Sequence, residues 1–303
     1  MTSPHDKAWS DFWAQNRNSG QSGGCLPEKW QGIDAVQKEF WRKFAADIPR
    51  KARVLDVATG DGRVMAWMLA RRRDLKLTGV DMAPVLPEPP RGTKIRADVL
   101  MENMPFPNKR FAAATSQFGF EYGSIAQTAA EIARIVEPGG RIGLMTHRQD
   151  GPILEHNLKR RKQIGWAIDE QELIVLAKKS LALRAAGLTS LPPKLTAAPA
   201  EGARLFGPTS AAWEIAEAIR QTLVMGARDH AANVSQLLDT IAGHARNEIG
   251  RINSLEAACA QTADDTAFNV AVKKGGLSQQ SINPVLEHGT SRPFADFRVL
   301  THS

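Results

Sequence analysis

The feature that most constrains the fold is an alternation of short apolar runs with helical patterns between Lys51 and His147. Residues 53–58 form an apolar run, residues 63–73 repeat apolar side chains at helical spacing, and residues 75–80 form a second run. Short apolar runs are typical of buried strands, and the order strand, helix, strand gives a parallel pair with a right-handed crossover. This segment therefore predicts the start of a parallel sheet.

The same alternation continues to His147. Residues 94–97, 111–116 and 141–146 predict three further strands, and a helix is expected from Ile125 to Val136. Glu137-Pro138-Gly139-Gly140 follows that helix and is a strong stop signal. We therefore expect an α/β fold with a Rossmann-like, doubly wound, mostly parallel sheet over residues 51–150.

The N-terminal segment has a helical pattern in two pieces, separated by a Gly- and Ser-rich loop over residues 18–24. Trp9, Phe12 and Trp13 share one face of the first piece. Such a face favours packing on the following domain, and substrate stacking by Trp9 or Trp13 is the alternative. We expect residues 1–50 to form an N-terminal helical cap.

The second half of the chain changes character. Amphipathic patterns predict helices over residues 154–164, 170–186, 211–225 and 232–259, with a Pro-, Gly- and Ala-rich loop from Pro192 to Pro208. We expect a helical substrate-binding or lid region over residues 151–285. Residues 293–301 return to a strand pattern, which predicts a terminal edge strand within residues 286–303.

The net charge of +7 and the pI of about 9.6 suggest nucleic acid as one partner. The basic residues, however, fall in short groups beside apolar positions at helical spacing, as in Arg71-Arg72-Arg73 and Lys159 to Lys162. This distribution favours solvated helix faces. Nucleic acid is therefore the less favoured partner.

Other bulk features restrict location and metal chemistry. Apolar runs stay far below the roughly 20 residues that span a bilayer, and residues 1–7 do not resemble a secretory signal. We therefore expect a cytoplasmic protein. Cys25 and Cys259 lie far apart without metal-ligand spacing, so both are expected to be reduced thiols and no metal site is predicted.

A ligand site is indicated where the first strands end. Gly60 and Gly62 lie in a small-residue turn between a strand and a helix, where the backbone can approach a ligand closely. Asp81 ends the next strand, about 20 residues further on, where a carboxylate can accept hydrogen bonds from ribose hydroxyls. Asp98 follows the third strand. The spacing fits adenosine-containing ligands in general.

Four segments in this order narrow the interpretation: Val54 to Gly62, Gly79 to Met82, Ala97 to Pro107 and Ile135 to Arg141. Together they resemble class I S-adenosylmethionine-dependent methyltransferases, in particular the branch that includes the ubiquinone and menaquinone biosynthesis methyltransferases. The resemblance covers Arg53 to His147. It implies S-adenosyl-L-methionine as the methyl donor, whereas an NAD-linked dehydrogenase would be expected to show G-x-G-x-x-G.

The resemblance also implies roles for individual residues. Asp56 and the turn backbone would hold the methionine moiety, Asp81 the ribose, and Asp98 the adenine amino group. Met82 would pack on the adenine ring, and the Val99 amide would meet a ring nitrogen. Ala58 stands where the family often has glycine, which restricts the turn. The expected donor-binding residues are Asp56, Ala58, Gly60, Gly62, Asp81, Met82, Asp98, Val99 and Ser116.

Residues for the acceptor are expected after the fourth and fifth strands, because ligands of open α/β sheets bind beyond the carboxyl ends of strands. Gln117 and Tyr122 are the expected substrate-binding residues. His147 suits a general base, since histidine changes charge near neutral pH, and a hydrogen-bonded structural role is the alternative. Glu121 is the second catalytic candidate, as a base or orienting group, against a capping or donor-side role.

The sequence leaves three functions open. Ser116 to Gly119 lacks the Asn- or Asp-Pro-Pro-aromatic pattern of methyltransferases acting on base amines. We therefore favour a methyltransferase for a small apolar or aromatic molecule, with O-, N- or C-methylation undecided. The alternatives are an RNA- or DNA-directed methyltransferase and a non-catalytic protein that binds S-adenosylmethionine.

Overall fold

A seven-stranded sheet organises the computed structural model, which describes residues 8–14, 31–185 and 190–302. The strand order is β3-β2-β1-β4-β5-β7-β6. Neighbours from β3 to β5 pair in parallel, and β7 is antiparallel to both β5 and β6. The expected α/β, Rossmann-like, mostly parallel sheet is confirmed. The strands are β1 (Arg53–Val57), β2 (Lys76–Val80), β3 (Lys94–Arg96), β4 (Phe111–Gln117), β5 (Val136–His147), β6 (Leu277–Leu286) and β7 (Pro293–His302).

Helices precede the sheet and connect most of its strands. Short 3₁₀ turns lie at Phe120–Tyr122 and Gly226–Arg228, and a π-helical turn lies at Trp166–Glu170. The loop expected over residues 18–24 lies outside the described residues. The helices are α1 (residues 8–14), α2 (Gln31–Ala46), α3 (Arg63–Arg71), α4 (Ile125–Ile135), α5 (Pro152–Gly165), α6 (Leu173–Ala185), α7 (Pro193–Phe206), α8 (Ala211–Met225), α9 (Ala231–Thr262) and α10 (Asp265–Lys274).

The centre of the sheet is apolar because helices cover it. Leu55 and Val57 of β1 are fully buried and belong to one cluster with Ile132 of α4 and Phe268 of α10. Strands buried on both faces read as continuous apolar runs, which is why β1 was visible in the sequence. The cluster fixes the strand ends at which the candidate site lies.

The expectation that the C-terminal strand lies at the edge of the sheet is wrong. β7 lies inside the sheet between β5 and β6, and the edge position belongs to β6, which fell within the expected helical region. Only Leu277 and Val285 of β6 are buried, its middle residues are mainly polar and Pro284 lies near its end, so it carries neither an apolar run nor a clear alternation. Pairing with β7 gives this segment its strand conformation, since β-structure depends strongly on its neighbours.

The expected Pro192–Pro208 loop is also wrong, because these residues form α7. Pro193 occupies the first helical turn, where the missing N–H costs nothing, and Pro199 lies within the helix. A Cβ built at Gly202 would lie 3.1 Å from the backbone of Ala212 in α8. Close packing of α7 on α8 therefore outweighs the local turn signals.

The chain divides into two compact units. The first comprises Met1–Glu155 with Asn253–Ser303, and the second comprises His156–Ile252. The second unit has its own helical core, which includes Leu173, Ile219 and Leu238. It is shorter than the expected 151–285 region because α10 and β6 belong to the first unit. Among the described helices, none combines the length and apolar character needed to cross a membrane.

Candidate functional site

The order in which strands follow one another across the sheet reverses between β1 and β4, and ligands of such folds bind beyond the carboxyl ends of the strands near this point. The turn Ala58 to Gly62 follows β1, and Asp81 follows β2. Phe118 to Tyr122 follow β4, and His147 ends β5. Residues that the sequence nominated on separate segments therefore lie along one edge of the sheet.

The turn after β1 alternates left-handed residues. Ala58 has φ 54°, Gly60 has φ 52° and Gly62 has φ 73°. A Cβ built at Gly60 would lie 2.4 Å from the Trp13 ring, so only glycine lets that indole lie on the turn. Gly62 is the N-cap of α3 and joins the turn to the helix. Ala58, which the sequence marked as unusual, holds a conformation that a side chain makes costly.

We expect Ala58→Gly to raise the free energy of unfolding by about 0.5 kcal/mol. A left-handed alanine costs about 1 kcal/mol, and the greater freedom of glycine in the unfolded chain offsets part of the gain. Gly139 is the matched control, with φ 76° and no atom within 4 Å of a built Cβ, so by the same balance Gly139→Ala should lower the free energy of unfolding by about 0.5 kcal/mol. Urea unfolding measures both, and a destabilised Ala58→Gly would contradict the strain assigned to this residue.

Asp81 ties the turn to the end of β2. Its Oδ2 accepts the Gly60 N–H at 2.9 Å, and its Oδ1 accepts the Ala83 N–H at 3.0 Å. The residue is 6% exposed, and burial raises the pKa of its carboxyl above the usual value despite these hydrogen bonds. Each oxygen keeps a further lone pair, so the carboxylate can still accept a ligand hydroxyl.

Asp56 is enclosed beneath the turn. Its two oxygens accept hydrogen bonds from the hydroxyls of Thr59, at 2.6 Å, and Thr115, at 2.7 Å. Burial is the largest effect on the Asp56 carboxyl and raises its pKa to about 7, against the lowering effect of both hydroxyls. Asp56 therefore joins β1 to β4. Neither threonine was among the site residues expected from the sequence, although Thr59 lies inside the glycine turn.

The third expected acidic residue is open to solvent. Asp98 is exposed and has φ 57°, and its N–H donates to the Ala83 carbonyl at 3.3 Å. The Val99 N–H, expected to meet an adenine nitrogen, donates to the Asp81 carbonyl at 2.9 Å. The Val99 N–H would have to break this hydrogen bond before it could donate to a ligand. Met82 follows Asp81 in the sequence, and its side chain is half-buried.

Two residues at the end of β4 make hydrogen bonds within the protein. Ser116 Oγ accepts the Phe120 N–H at 3.0 Å and so stabilises the following turn. Gln117 was expected to bind substrate, but its Oε1 accepts the Trp41 Nε1–H at 2.6 Å and its Nε2 donates to Gln37 at 3.3 Å. Both polar groups of Gln117 thus engage α2. These bonds give Gln117 a structural role on the face of β4 that meets α2, and its expected contact with substrate stays a prediction.

Glu121 and His147, nominated separately, form a pair. His147 Nδ1 lies 2.8 Å from Glu121 Oε1, which also accepts the His147 backbone N–H at 3.0 Å. Glu121 is fully buried and His147 is 9% exposed. Gln261 Nε2 donates to the Glu121 carbonyl, and Thr262 Oγ1 donates to the His147 carbonyl. These α9 residues were missed, because nothing in a helical pattern indicates which strand end it meets.

Aromatic rings surround the pair. The Phe118 ring stacks on the His147 imidazole, with centroids 4.1 Å apart, and Tyr122 meets the same imidazole edge-on at 6.1 Å. Trp9 of α1 packs edge-on against Tyr122 at 5.4 Å. We call Trp9, Phe118 and Tyr122 the aromatic wall. The N-terminal aromatic face therefore reaches the site as well as contributing to packing.

Comparison with known proteins relates the part of the chain that contains this turn to methyltransferases. Residues 54–140 match the model of a methyltransferase domain. The chain is 34% identical over 115 residues to a demethylmenaquinone methyltransferase of Thermus thermophilus, which covers 34% of this chain and 51% of that protein. It is 34% identical over 118 residues to the enzyme of the same name from Deinococcus radiodurans, which covers 35% and 48%. The resemblance indicated by the motifs is confirmed.

The extent of these matches is limited. The chain spans about half the length of these two relatives. A solved methyltransferase from Haloferax volcanii, in complex with the activator Trm112, aligns over 100% of this chain and 99% of its own at 12% identity, with a TM-score of 0.46. The matched domain contains the glycine turn, Asp81, Asp98 and Glu121, whereas His147 lies beyond it.

Proposed function

Because residues 54–140 match a methyltransferase domain, we propose that this chain transfers a methyl group from S-adenosyl-L-methionine to a small-molecule acceptor. The observation that carries the proposal is the pairing of Asp81 with the Gly60 amide, within that domain and at the carboxyl ends of the strands. It joins a carboxylate that suits ribose hydroxyls to a glycine turn, where the Trp13 ring lies against Gly60 and would have to make room for the donor. The two demethylmenaquinone methyltransferases to which the chain is similar support a small-molecule acceptor.

The residues present suit the donor chemically. The backbone of Gly60 and Gly62 would face the methionine moiety, Asp81 the ribose, and the exposed Asp98 the adenine amino group. Asp56 would act through the turn it supports, since its oxygens already bind two hydroxyls. The donor supplies a methyl group already activated on a sulfonium, so the protein mainly has to align the acceptor and exclude water.

Calorimetry with the wild-type protein tests the donor assignment. We expect saturable binding of S-adenosylmethionine and of its demethylated product, S-adenosylhomocysteine, with dissociation constants below about 1 mM. ATP and NAD serve as controls, because both carry adenosine without the sulfur-linked chain. Equal affinity for all four ligands, or no binding of the methyl donor, would contradict the proposal.

The structure also supports a small acceptor over nucleic acid. Arg72 pairs with Asp74 and donates to carbonyls at the end of α2, and Lys178 pairs with Asp239. Intramolecular partners of this kind are typical of solvated faces. An RNA-directed enzyme would bind mixed RNA with an affinity that falls steeply with salt, and a non-catalytic protein would transfer no labelled methyl group to a cell extract. A cytoplasmic location remains our expectation.

A further inference from the structure

We propose that α1 is an autoinhibitory strap, which closes the crevice between β1 and β4 by seating Trp13 on the glycine turn. S-adenosylmethionine then binds only when the strap lifts. This inference rests on the proposed function and concerns the regulation of the same site. It gives the aromatic face of α1 a role other than packing or substrate stacking, because the rings hold the site closed.

The strap contacts both sides of the crevice. At one end the six-membered part of the Trp13 indole lies against Gly60, which follows β1. At the other end Trp9 packs edge-on against Tyr122, which follows β4, with ring centroids 5.4 Å apart. The two tryptophans are four residues apart, which is about 6 Å along a helix, and neighbouring strands lie about 5 Å apart. α1 therefore crosses from the end of one strand to the end of the next.

The rings of α1 also contact one another. Phe12 packs edge-on against Trp9, with centroids 5.7 Å apart, and against Trp13, with centroids 5.1 Å apart. Edge-to-face pairs of this kind stabilise the arrangement beyond the apolar area that they bury. Both ends of the strap are thus joined through Phe12. A ligand that displaces Trp13 from Gly60 therefore also weakens the contact of Trp9 with the aromatic wall.

The indole and the proposed donor compete for the same surface. A glycine in such a turn lets a ligand reach the backbone, because no side chain stands in its way. At Gly60 that space is filled by the Trp13 ring, and three of the ring carbons lie within 3.2 Å of a Cβ built there. The methionine moiety and the indole cannot occupy this position together. Donor binding therefore requires the strap to leave the turn.

The second glycine of the turn offers the donor no equal approach. A Cβ built at Gly62 would lie 2.7 Å from Pro90 Cδ and 3.1 Å from Met65 Cε. Met65 belongs to α3 and is fully buried, so the core holds its side chain. Gly62 is thus covered by residues that follow it in the matched domain, whereas Gly60 is covered by α1. Access to Gly60 is the step that the strap controls.

Partial burial makes the strap able to lift. Every residue from Trp9 to Trp13 keeps part of its surface exposed, whereas Trp41 of α2, which packs on Phe297 of the sheet, is fully buried. Segments with little buried surface open at a low cost in free energy. The apparent affinity of a ligand falls by the fraction of molecules in which its site is open. A strap that is closed in about 90% of molecules thus weakens donor binding about tenfold.

Trp13→Ala tests the strap by the sign of the change in donor affinity. Calorimetry should show that the variant binds S-adenosylhomocysteine at least about fivefold more tightly than the wild type, because the closed form loses its contact with Gly60. Trp67→Ala is the matched control, since Trp67 is a partly buried tryptophan on α3 in the same unit, and its affinity should not change. Unchanged or weaker binding by Trp13→Ala would overturn the proposal, since a lid that contacts the bound donor predicts weaker binding.

Hydrogen exchange of the wild type gives a second readout, which needs no variant. A helix as short as α1 is not stable on its own, so its amides should exchange faster once the strap leaves the turn. We therefore expect S-adenosylhomocysteine to speed exchange in the peptide that contains residues 8–14. Slower or unchanged exchange there, with the ligand bound, would overturn the inference. Failure of both the wild type and Trp13→Ala to bind S-adenosylhomocysteine would instead refute the proposed function.

Discussion

Asp81→Ala is expected to weaken S-adenosylmethionine binding by at least about 100-fold. The substitution removes the carboxylate proposed for the ribose and leaves the buried N–H groups of Gly60 and Ala83 without their acceptor. A hydrogen bond to a charged group is worth about 1.5–3 kcal/mol. The loss of one such bond to the ligand, together with the loss of order in the glycine turn, therefore accounts for a weakening of about 100-fold. Calorimetry measures the change in dissociation constant.

Loss of folding must be separated from loss of the site. Asp81→Asn keeps one oxygen acceptor and the volume, so it should remain folded by circular dichroism while binding the donor weakly. Glu137→Ala is the control, because Glu137 is an exposed acidic residue at the start of β5 in the same unit. A folded Asp81→Asn variant with wild-type affinity would remove Asp81 from the ligand site.

Asp56→Asn is expected to change how stability depends on pH. Because burial raises the pKa of Asp56 to about 7, its proton binds more tightly in the folded chain than in the unfolded one. Stability from this group is therefore full at acidic pH and lost as pH rises from about 4 to about 7, by on the order of 1 kcal/mol per pH unit. Asparagine removes this dependence and can still bond Thr59 and Thr115.

The measurement is urea unfolding of both proteins at several pH values between about 5 and 7. The difference in unfolding free energy should move in favour of Asp56→Asn as pH rises, since other groups contribute equally and cancel. Asp74→Asn is the control, because Arg72 and the Lys51 amide keep the pKa of the Asp74 carboxyl below its usual range. Its difference should stay constant over this window. A constant difference for Asp56→Asn would contradict the raised pKa.

The parallel part of the sheet could be predicted because each of its strands carries its own apolar run. Leu55 and Val57 are fully buried, and the apolar run that predicts their strand lies within their own segment. β6 has no such pattern, and only its pairing with β7 makes it a strand. α7 was hidden for the opposite reason. Its prolines and Gly202 signal a loop locally, whereas packing on α8 favours a helix.

The candidate site shows the same division. Residues at strand ends, such as Asp81, Glu121 and His147, could be nominated because parallel strands bring their carboxyl ends together. The direction of each side chain could not. Gln117 turns to α2 and Asp56 turns beneath the glycine turn, since both depend on partners far away in sequence. The pairing of Glu121 with His147 also joins residues 26 positions apart, a contact that no motif encodes.

The indole of Trp13 lies against Gly60, at the point where the proposed donor would meet the turn. Any molecule that enters there changes the surroundings of this ring, and indole emission responds to its surroundings. The fluorescence of Trp13 should therefore change when a ligand binds at the glycine turn. Titration followed by fluorescence, with Trp13→Phe to isolate the signal from the other tryptophans, would count ligand arrival without a label.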